Sequence, residues 1–272
     1  MPHGLNAVSR QRPQRPPPPF QRLGHLKAMA GTLAATGTLV PSAMMVGMVN
    51  RDAAGRMPAV WHRAVAHALG VRSRLGGEKA SGGVLYVVNH LSWLDIPVLG
   101  GWLDGSFVAK SEVELMPFMG FLARFQNTIY VERERRAATS QQADTIRGRL
   151  RAGGNVILFP EGTSGAGVQV LPFKSSLFAV ADGEDEVRIQ PVSLAYTHIN
   201  GMPMTRQRLA DIAWTGDTAF GPHAIGCMRL GRIDAAIHCH PAVRRSAFAD
   251  RKELARHCQR VIADGYRRLL RA

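Results

Sequence analysis

The sequence predicts an α/β protein: a layered mixed sheet flanked by helices, with an N-terminal membrane-associated helical segment ahead of it. Three observations carry this expectation. Short apolar runs at 84–88, 106–109, 128–131, 156–159, 189–195 and 232–239 alternate with stretches of helical period, the pattern of helices packed on the faces of a sheet. These runs give way to polar, Gly- or Pro-containing segments such as Asn89-His90 and Pro160-Glu161-Gly162. In a layered α/β protein such strand ends and the loops beyond them carry the working side chains. Finally, no charged residue occurs between positions 28 and 50.

Taken in order, residues 1–27 form a Pro-rich head carrying Arg10, Arg12, Arg15, Arg22 and Lys27 and no acid; the prolines at 16–19 favour an extended, disordered segment. Residues 28–54 form the membrane-associated segment, and 55–272 a single further domain. The uncharged run is long enough for the roughly 20 residues that cross a hydrocarbon core, but Thr32, Thr36, Thr38, Ser42 and the central Pro41 leave two membrane readings, spanning and re-entrant. A kinked pair of buried helices is the soluble alternative. The basic residues ahead of the run place the protein on the cytoplasmic face of the cytoplasmic membrane.

Val60, Trp61, Ala64, Val65, Ala68 and Leu69 recur at helical spacing, and 70–83 reads as Gly-rich turns leading to the strand at 84–88. A short helix follows at 96–103. Met116, Phe118, Met119, Phe121, Leu122 and Phe125 suit either core or the wall of an acyl-chain channel. Helices are expected at 137–150 and at 173–181, with Lys174 near the start of the second. Pro191 lies inside the run 189–195. It removes a ladder donor, which predicts an edge strand or a bulge. The last helix, 250–271, buries Leu254, Cys258, Val261, Ile262 and Leu269.

The chain of 272 residues holds 34 Lys and Arg against 20 Asp and Glu, a formal charge of +14. Such an excess attracts polyanions: an anionic membrane surface, phosphorylated substrates or nucleic acid. Nucleic acid is not the expected partner, because the charge sits mostly at the two ends and no stacking aromatics interleave with it. A basic nucleic-acid-binding protein, or a non-catalytic lipid-binding one, remains the reading of another class. Cys227, Cys239 and Cys258 are 3 in number and widely spaced, so no disulfide framework follows. His238 and His240 flank Cys239 without further spaced ligands, and no metal site is expected.

The chemistry concentrates at Asn89-His90-Leu91-Ser92-Trp93-Leu94-Asp95. A buried strand that delivers an imidazole to a loop, with a carboxylate one short turn later, is how a sheet protein builds a general base. Positions five apart in one regular helix diverge by about 140°. His90 and Asp95 therefore meet only if His90 precedes the helix and Asp95 lies in its first turn. Ser92 and Asp95 also fit a capping box, and the two roles are compatible. A second strand end, Pro160-Glu161-Gly162-Thr163-Ser164-Gly165, can aim backbone N–H groups at an oxyanion or phosphate.

Four segments thus stand in one order: 89–95; Thr128-Ile129-Tyr130-Val131-Glu132-Arg133; Phe159-Pro160-Glu161-Gly162-Thr163; and Ile189-Gln190-Pro191-Val192. Over residues 84–195 they resemble the glycerolipid acyltransferase family, in particular bacterial 1-acylglycerol-3-phosphate (lysophosphatidic acid) acyltransferases. Ala213-Trp214-Thr215-Gly216-Asp217, Pro222-His223 and Arg251-Lys252-Glu253-Leu254-Ala255 are similar to the branch that includes lyso-ornithine-lipid acyltransferases. The resemblance implies direct acyl transfer from an acyl carrier protein or acyl-CoA co-substrate to the free hydroxyl of a lysolipid, with no cofactor. The leading acceptor is 1-acyl-sn-glycerol-3-phosphate, and a lyso-ornithine lipid is the alternative. His90 would be the base and Asp95 its partner. Arg133, Glu161, Gly162 and Thr163 would bind the acceptor, Lys174 would add a cation and Pro191 would shape the thioester side. Two positions depart from the family pattern: Ser164, where it often has a phosphate-gripping Arg, and Asn127, where it has Gly.

Overall fold

The computed structural model describes residues 24–111, 114, 120, 123–131, 136–184, 186–216 and 218–272. Two helices, α1 (Gly24–Val49) and α2 (Arg51–Ala68), are joined at Asn50, whose side chain caps α2 by accepting from Ala53 N. They form an antiparallel hairpin. Gly31 lies against Ala68 and Gly47 against Ala54, and Trp61 Nε1 donates to Thr36 Oγ1 at 3.1 Å. Small residues let the backbones approach: α1 turns Ala28, Thr36, Val40 and Ala43 inward, and Leu26, Met29, Leu33, Met44, Met45, Met48 and Val49 outward. Pro41 stays within the helix, and the hydroxyls of Thr38 and Ser42 donate to the carbonyls of Ala34 and Thr38, supplementing the ladder that proline interrupts. The residue 54/55 boundary falls inside α2, and Gly24–Lys27 belong to α1.

Nine strands are present among the described residues: β1 (Val71–Gly76), β2 (Val84–Val88), β3 (Ser106–Lys110), β4 (Ile129–Val131), β5 (Val156–Leu158), β6 (Arg188–Ile199), β7 (Met202–Pro203), β8 (Ile233–Cys239) and β9 (Val243–Arg244). Their order is β1-β8-β6-β2-β5-β3-β4, with β7 and β9 also on β6. Pairing is parallel along this path except between β6 and β8, so the sheet is mixed, as expected. The further helices are α3 (Asp95–Gly100), α4 (Arg136–Arg151), α5 (Arg206–Ile212), α6 (Phe220–Met228) and α7 (Arg251–Leu269). The central strand β2 is buried along its whole length. Val84, Tyr86 and Val88 pack into the layer that holds Trp61, Val65, Leu94 and Val98. Leu85 and Val87 pack into the opposite layer, with Ile146, Leu150, Leu254 and Ile262.

Two expectations are corrected. The stretch read as Gly-rich turns contains β1, which pairs with β8 at the sheet edge; the exposed Arg72 and Arg74 hide its alternation from a search for apolar runs. Pro191 is neither on an edge strand nor at a bulge. It pairs with Val87 of β2 in the sheet interior, and the register shift of β6 comes later, between Tyr196 and His198. The proline is tolerated because it sits where the partner on its other side changes, β9 ending at Ile189 and β8 beginning at Val192. The helix expected at 173–181 is present as a 3₁₀ helix, Ser175–Ala181, with Lys174 as its extended cap residue. Of the apolar cluster at 116–125, only Phe125 lies within the described residues; its ring meets Trp61 edge-on at 6.2 Å.

Candidate active site

β2 ends at Val88, and Asn89 fastens the turn that follows: its side-chain amide donates to Leu194 O and accepts from Leu194 N, both at 2.9 Å. His90 lies before α3 and Asp95 in its first turn, the arrangement their spacing requires. Asp95 Oδ2 accepts from His90 Nδ1 at 2.8 Å, Leu91 N at 2.7 Å and Ser92 N at 3.0 Å. Asp95 Oδ1 accepts from the Tyr196 hydroxyl at 2.7 Å. Every one of these partners can donate, which suits an ionised carboxylate. Asp95 is 0% exposed. Burial, and then the neighbouring carboxylate, push the Tyr196 phenol well above its ordinary range, so it remains a donor.

With Nδ1–H given to Asp95, the His90 lone pair lies on Nε2, which has no hydrogen-bond partner among the described residues. The ring stacks on Phe159 at 4.1 Å and 18°, and 18% of the side chain is exposed. It is held by one edge and one face while its basic nitrogen can meet a substrate. Such a nitrogen can take a proton from a hydroxyl and return it to a leaving group.

The loop after β5 supports His90 from the other side. Glu161 Oε1 accepts from His90 N at 2.9 Å and Oε2 from Leu171 N at 3.2 Å, while Gly165 N donates to His90 O at 2.9 Å. Burial pushes the Glu161 carboxyl up to about 7 against the pull of these two N–H groups, and the charge of Asp95 adds to the rise. Gly162 turns the chain at φ +72, and a Cβ there would lie 2.9 Å from Lys174 Nζ. Lys174 thus reaches over Gly162; it and Thr163 are exposed.

Residues 213–216, which follow α5, meet the same loops. Trp214 N donates to Leu91 O at 2.9 Å, and Ser164 Oγ donates to Trp214 O. Trp93 and Trp214 each meet Phe220 edge-on at 5.6 Å.

The structure therefore brings His90, Asp95, Glu161, Gly162 and Lys174 around one turn, with Thr163 adjoining. Both oxygens of Glu161 face backbone donors. Pro191 lies in the sheet beside Val87, three residues before His90 in the neighbouring strand. Arg133 lies outside the described residues. Sequence reading missed Tyr196, Phe159 as the ring under His90, Asn89 as a clamp, and Trp214. A tyrosine in a buried strand must find a partner for its hydroxyl, and that was the available signal for Tyr196. Among the described residues no cluster of His, Cys, Asp or Glu could hold a metal ion.

The acyltransferase family profile matches residues 72–195. A lyso-ornithine lipid O-acyltransferase of Brucella abortus is 40% identical over 235 residues, 84% of this chain and 88% of that one. The chain belongs to the acyltransferase family. A 1-acyl-sn-glycerol-3-phosphate acyltransferase of Neisseria meningitidis is 32% identical over 130 residues, covering 48% of this acyltransferase and 51% of the relative. The crystal structure of the 1-acyl-sn-glycerophosphate (LPA) acyltransferase from Thermotoga maritima shares the fold, with a TM-score of 0.66 and 21% identity over 92% of this chain and 96% of that one. The two departures of this acyltransferase from the family pattern acquire structural meaning. Asn127 adopts φ 54, a left-handed conformation that asparagine tolerates better than most residues. Ser164 spends its hydroxyl on Trp214 O.

Proposed function

We propose that this acyltransferase moves a fatty acyl group from an acyl thioester to the free hydroxyl of a lyso-ornithine lipid, with 1-acyl-sn-glycerol-3-phosphate as the second candidate acceptor. The reaction rests on one observation: a solvent-reaching imidazole whose Nδ1 lies 2.8 Å from a fully buried carboxylate. His90 Nε2 takes the hydroxyl proton as that oxygen attacks the thioester carbonyl. The tetrahedral intermediate then expels the thiolate, which receives the proton from the imidazolium. An alcohol is a poor nucleophile until a positioned base takes its proton, worth about 10² to 10⁴ in rate. Asp95 holds the ring and balances its transient charge. No cysteine serves as a covalent acyl carrier in this reading: Cys227, Cys239 and Cys258 are all buried, and burial raises their thiols to about 12, 11 and 12, where the thiol form is a poor nucleophile.

The relatives order the acceptors. Lyso-ornithine lipid O-acyltransferases of Brucella abortus and Rhizobium meliloti are 40% identical over 84% and 74% of this chain, whereas the Neisseria meningitidis 1-acyl-sn-glycerol-3-phosphate enzyme aligns over 48% at 32% identity. That order favours the alternative over the acceptor that led the sequence analysis. The donor is acyl carrier protein or acyl-CoA. Lys174, over Gly162, supplies a cation for an acceptor carboxylate or phosphate, and Arg133 is assigned the same duty. The outward apolar side of α1, a helix of 26 residues that is long and apolar enough to cross a membrane, seats the protein on the cytoplasmic face of the membrane, and basic residues meet the anionic headgroups.

The test offers full-length protein both acceptors with labelled acyl carrier protein and with labelled acyl-CoA. Label in ornithine lipid, lost in a folded His90→Ala variant, is the expected result. Label only in phosphatidate would reverse the choice of acceptor. Full activity of folded His90→Ala would remove the base.

A further inference from the structure

Residues 213–216 and 218–220 are a built part of the site that the transfer chemistry leaves unused. The peptide of Trp214 is gripped from both sides. Its N–H donates to Leu91 O, inside the His90–Asp95 turn, and its carbonyl accepts from Ser164, in the loop that carries Glu161. The polar edges of both indoles are also engaged within this region. Trp214 Nε1 donates to Thr218 O at 2.8 Å and Trp93 Nε1 to His223 Nδ1 at 3.3 Å, while the other ring nitrogen of His223 contacts Ala213 O at 3.0 Å. Neither indole is face-stacked on Phe220; the interplanar angles are 74° and 72°. All three rings are half-buried. With their N–H groups spent, what Trp93, Trp214 and Phe220 can offer a ligand is π surface. The local charge points the same way. In a chain of formal charge +14, no lysine or arginine occurs from Asp211 to Met228, and Ser164 has no charge to give. A phosphomonoester would find no fixed cation on this wall, whereas an ammonium would find aromatic faces and no repulsion.

We infer that residues 213–216 and 218–220 form the headgroup wall of the acceptor site, and that Trp93, Trp214 and Phe220 select a lysolipid carrying a protonated amine by cation–π contact. This rests on the lyso-ornithine acceptor reading and deepens it. Ornithine acylated on its α-amine keeps a carboxylate, which suits Lys174, and a side-chain ammonium, which suits the rings. Ser164 is the positioning residue that keeps the wall against the catalytic turn.

The experiment measures transfer from an acyl carrier protein thioester to lyso-ornithine lipid and to the same lipid with its side-chain amine acetylated, which removes the charge and keeps the hydroxyl. For the wild type, acetylation should lower kcat/KM by about 3- to 30-fold, chiefly through KM. In Trp214→Leu and Phe220→Leu that penalty should shrink below about 2-fold, and Trp214→Phe should retain most of it. Melting curves identify any variant that does not fold, and the wild-type arm needs no variant. A wild type indifferent to acetylation, or folded variants that keep the full penalty, would overturn the inference while leaving the acceptor assignment standing. A wild type that acylates 1-acylglycerol-3-phosphate but not lyso-ornithine lipid would overturn the acceptor assignment and this inference with it.

Discussion

Replacing Asp95 with asparagine separates its charge from its hydrogen bonds. The asparagine oxygen can occupy the Oδ2 position and still accept from Leu91 N, Ser92 N and His90 Nδ1, while its NH₂ faces the Tyr196 hydroxyl, which can rotate to accept. The fold should lose only about 1–2 kcal/mol, the difference between charged and neutral acceptors. The transition state loses more. It carries an imidazolium whose charge centre lies about 4 Å from that of the carboxylate, and at an effective dielectric of about 20 the attraction is about 4 kcal/mol. That corresponds to a rate loss of about 10³. The assay is kcat/KM for acyl transfer beside thermal unfolding of the same preparation. A folded Asp95→Asn protein that keeps more than about a tenth of wild-type activity would show that Asp95 only shapes the turn and does not balance charge on His90.

Tyr196→Phe removes the donor to Asp95 Oδ1 where both residues are fully buried. It should cost about 1–3 kcal/mol in denaturant unfolding and lower activity less than Asp95→Asn does. Glu161 makes a pH prediction. Its carboxyl stands near 7 in the folded protein against an ordinary 4.5, so between these values the folded state binds more protons than the unfolded state. Its contribution to stability should fall as pH rises from about 4.5 to about 7, by on the order of 3 kcal/mol, and be flat above. Glu161→Gln should flatten that slope in melting temperatures recorded across the window. Met45→Glu with Met48→Glu, on the outward face of α1, should reduce cosedimentation with anionic vesicles while leaving the unfolding temperature within about 2 °C, since surface changes cost under about 0.5 kcal/mol.

The part of the site legible in the sequence was the local part. A continuous apolar, β-favouring run broken by Asn89-His90, then an Asp95 whose carboxylate closes back on Ser92 N although Leu94 rather than Ser92 is the cap residue of α3, fixes a strand, a turn and a helix start within a dozen positions, and short-range geometry does the rest. What stayed hidden depends on pairing at a distance. Tyr196 reaches Asp95 across 101 positions because β6 lies next to β2, and no residue pattern announces that neighbour. Glu161 was expected to bind the acceptor through the family resemblance alone; here its oxygens close on the amides of His90 and Leu171. β1 was lost for a different reason. Its arginines face water at the edge of the sheet, and a search for apolar runs passes over such a strand.

The twelve residues of β6 tie catalytic competence to correct folding. A strand that slips by one residue presents its opposite face to every neighbour, and such a slip would turn the phenol of Tyr196 away from Asp95. Asn89 bonds to both the N–H and the C=O of Leu194, so only one alignment satisfies it. A mispaired chain would therefore lose both the Asn89 clamp and the Tyr196 support of the catalytic carboxylate, and a preparation's specific activity would track its correctly threaded molecules.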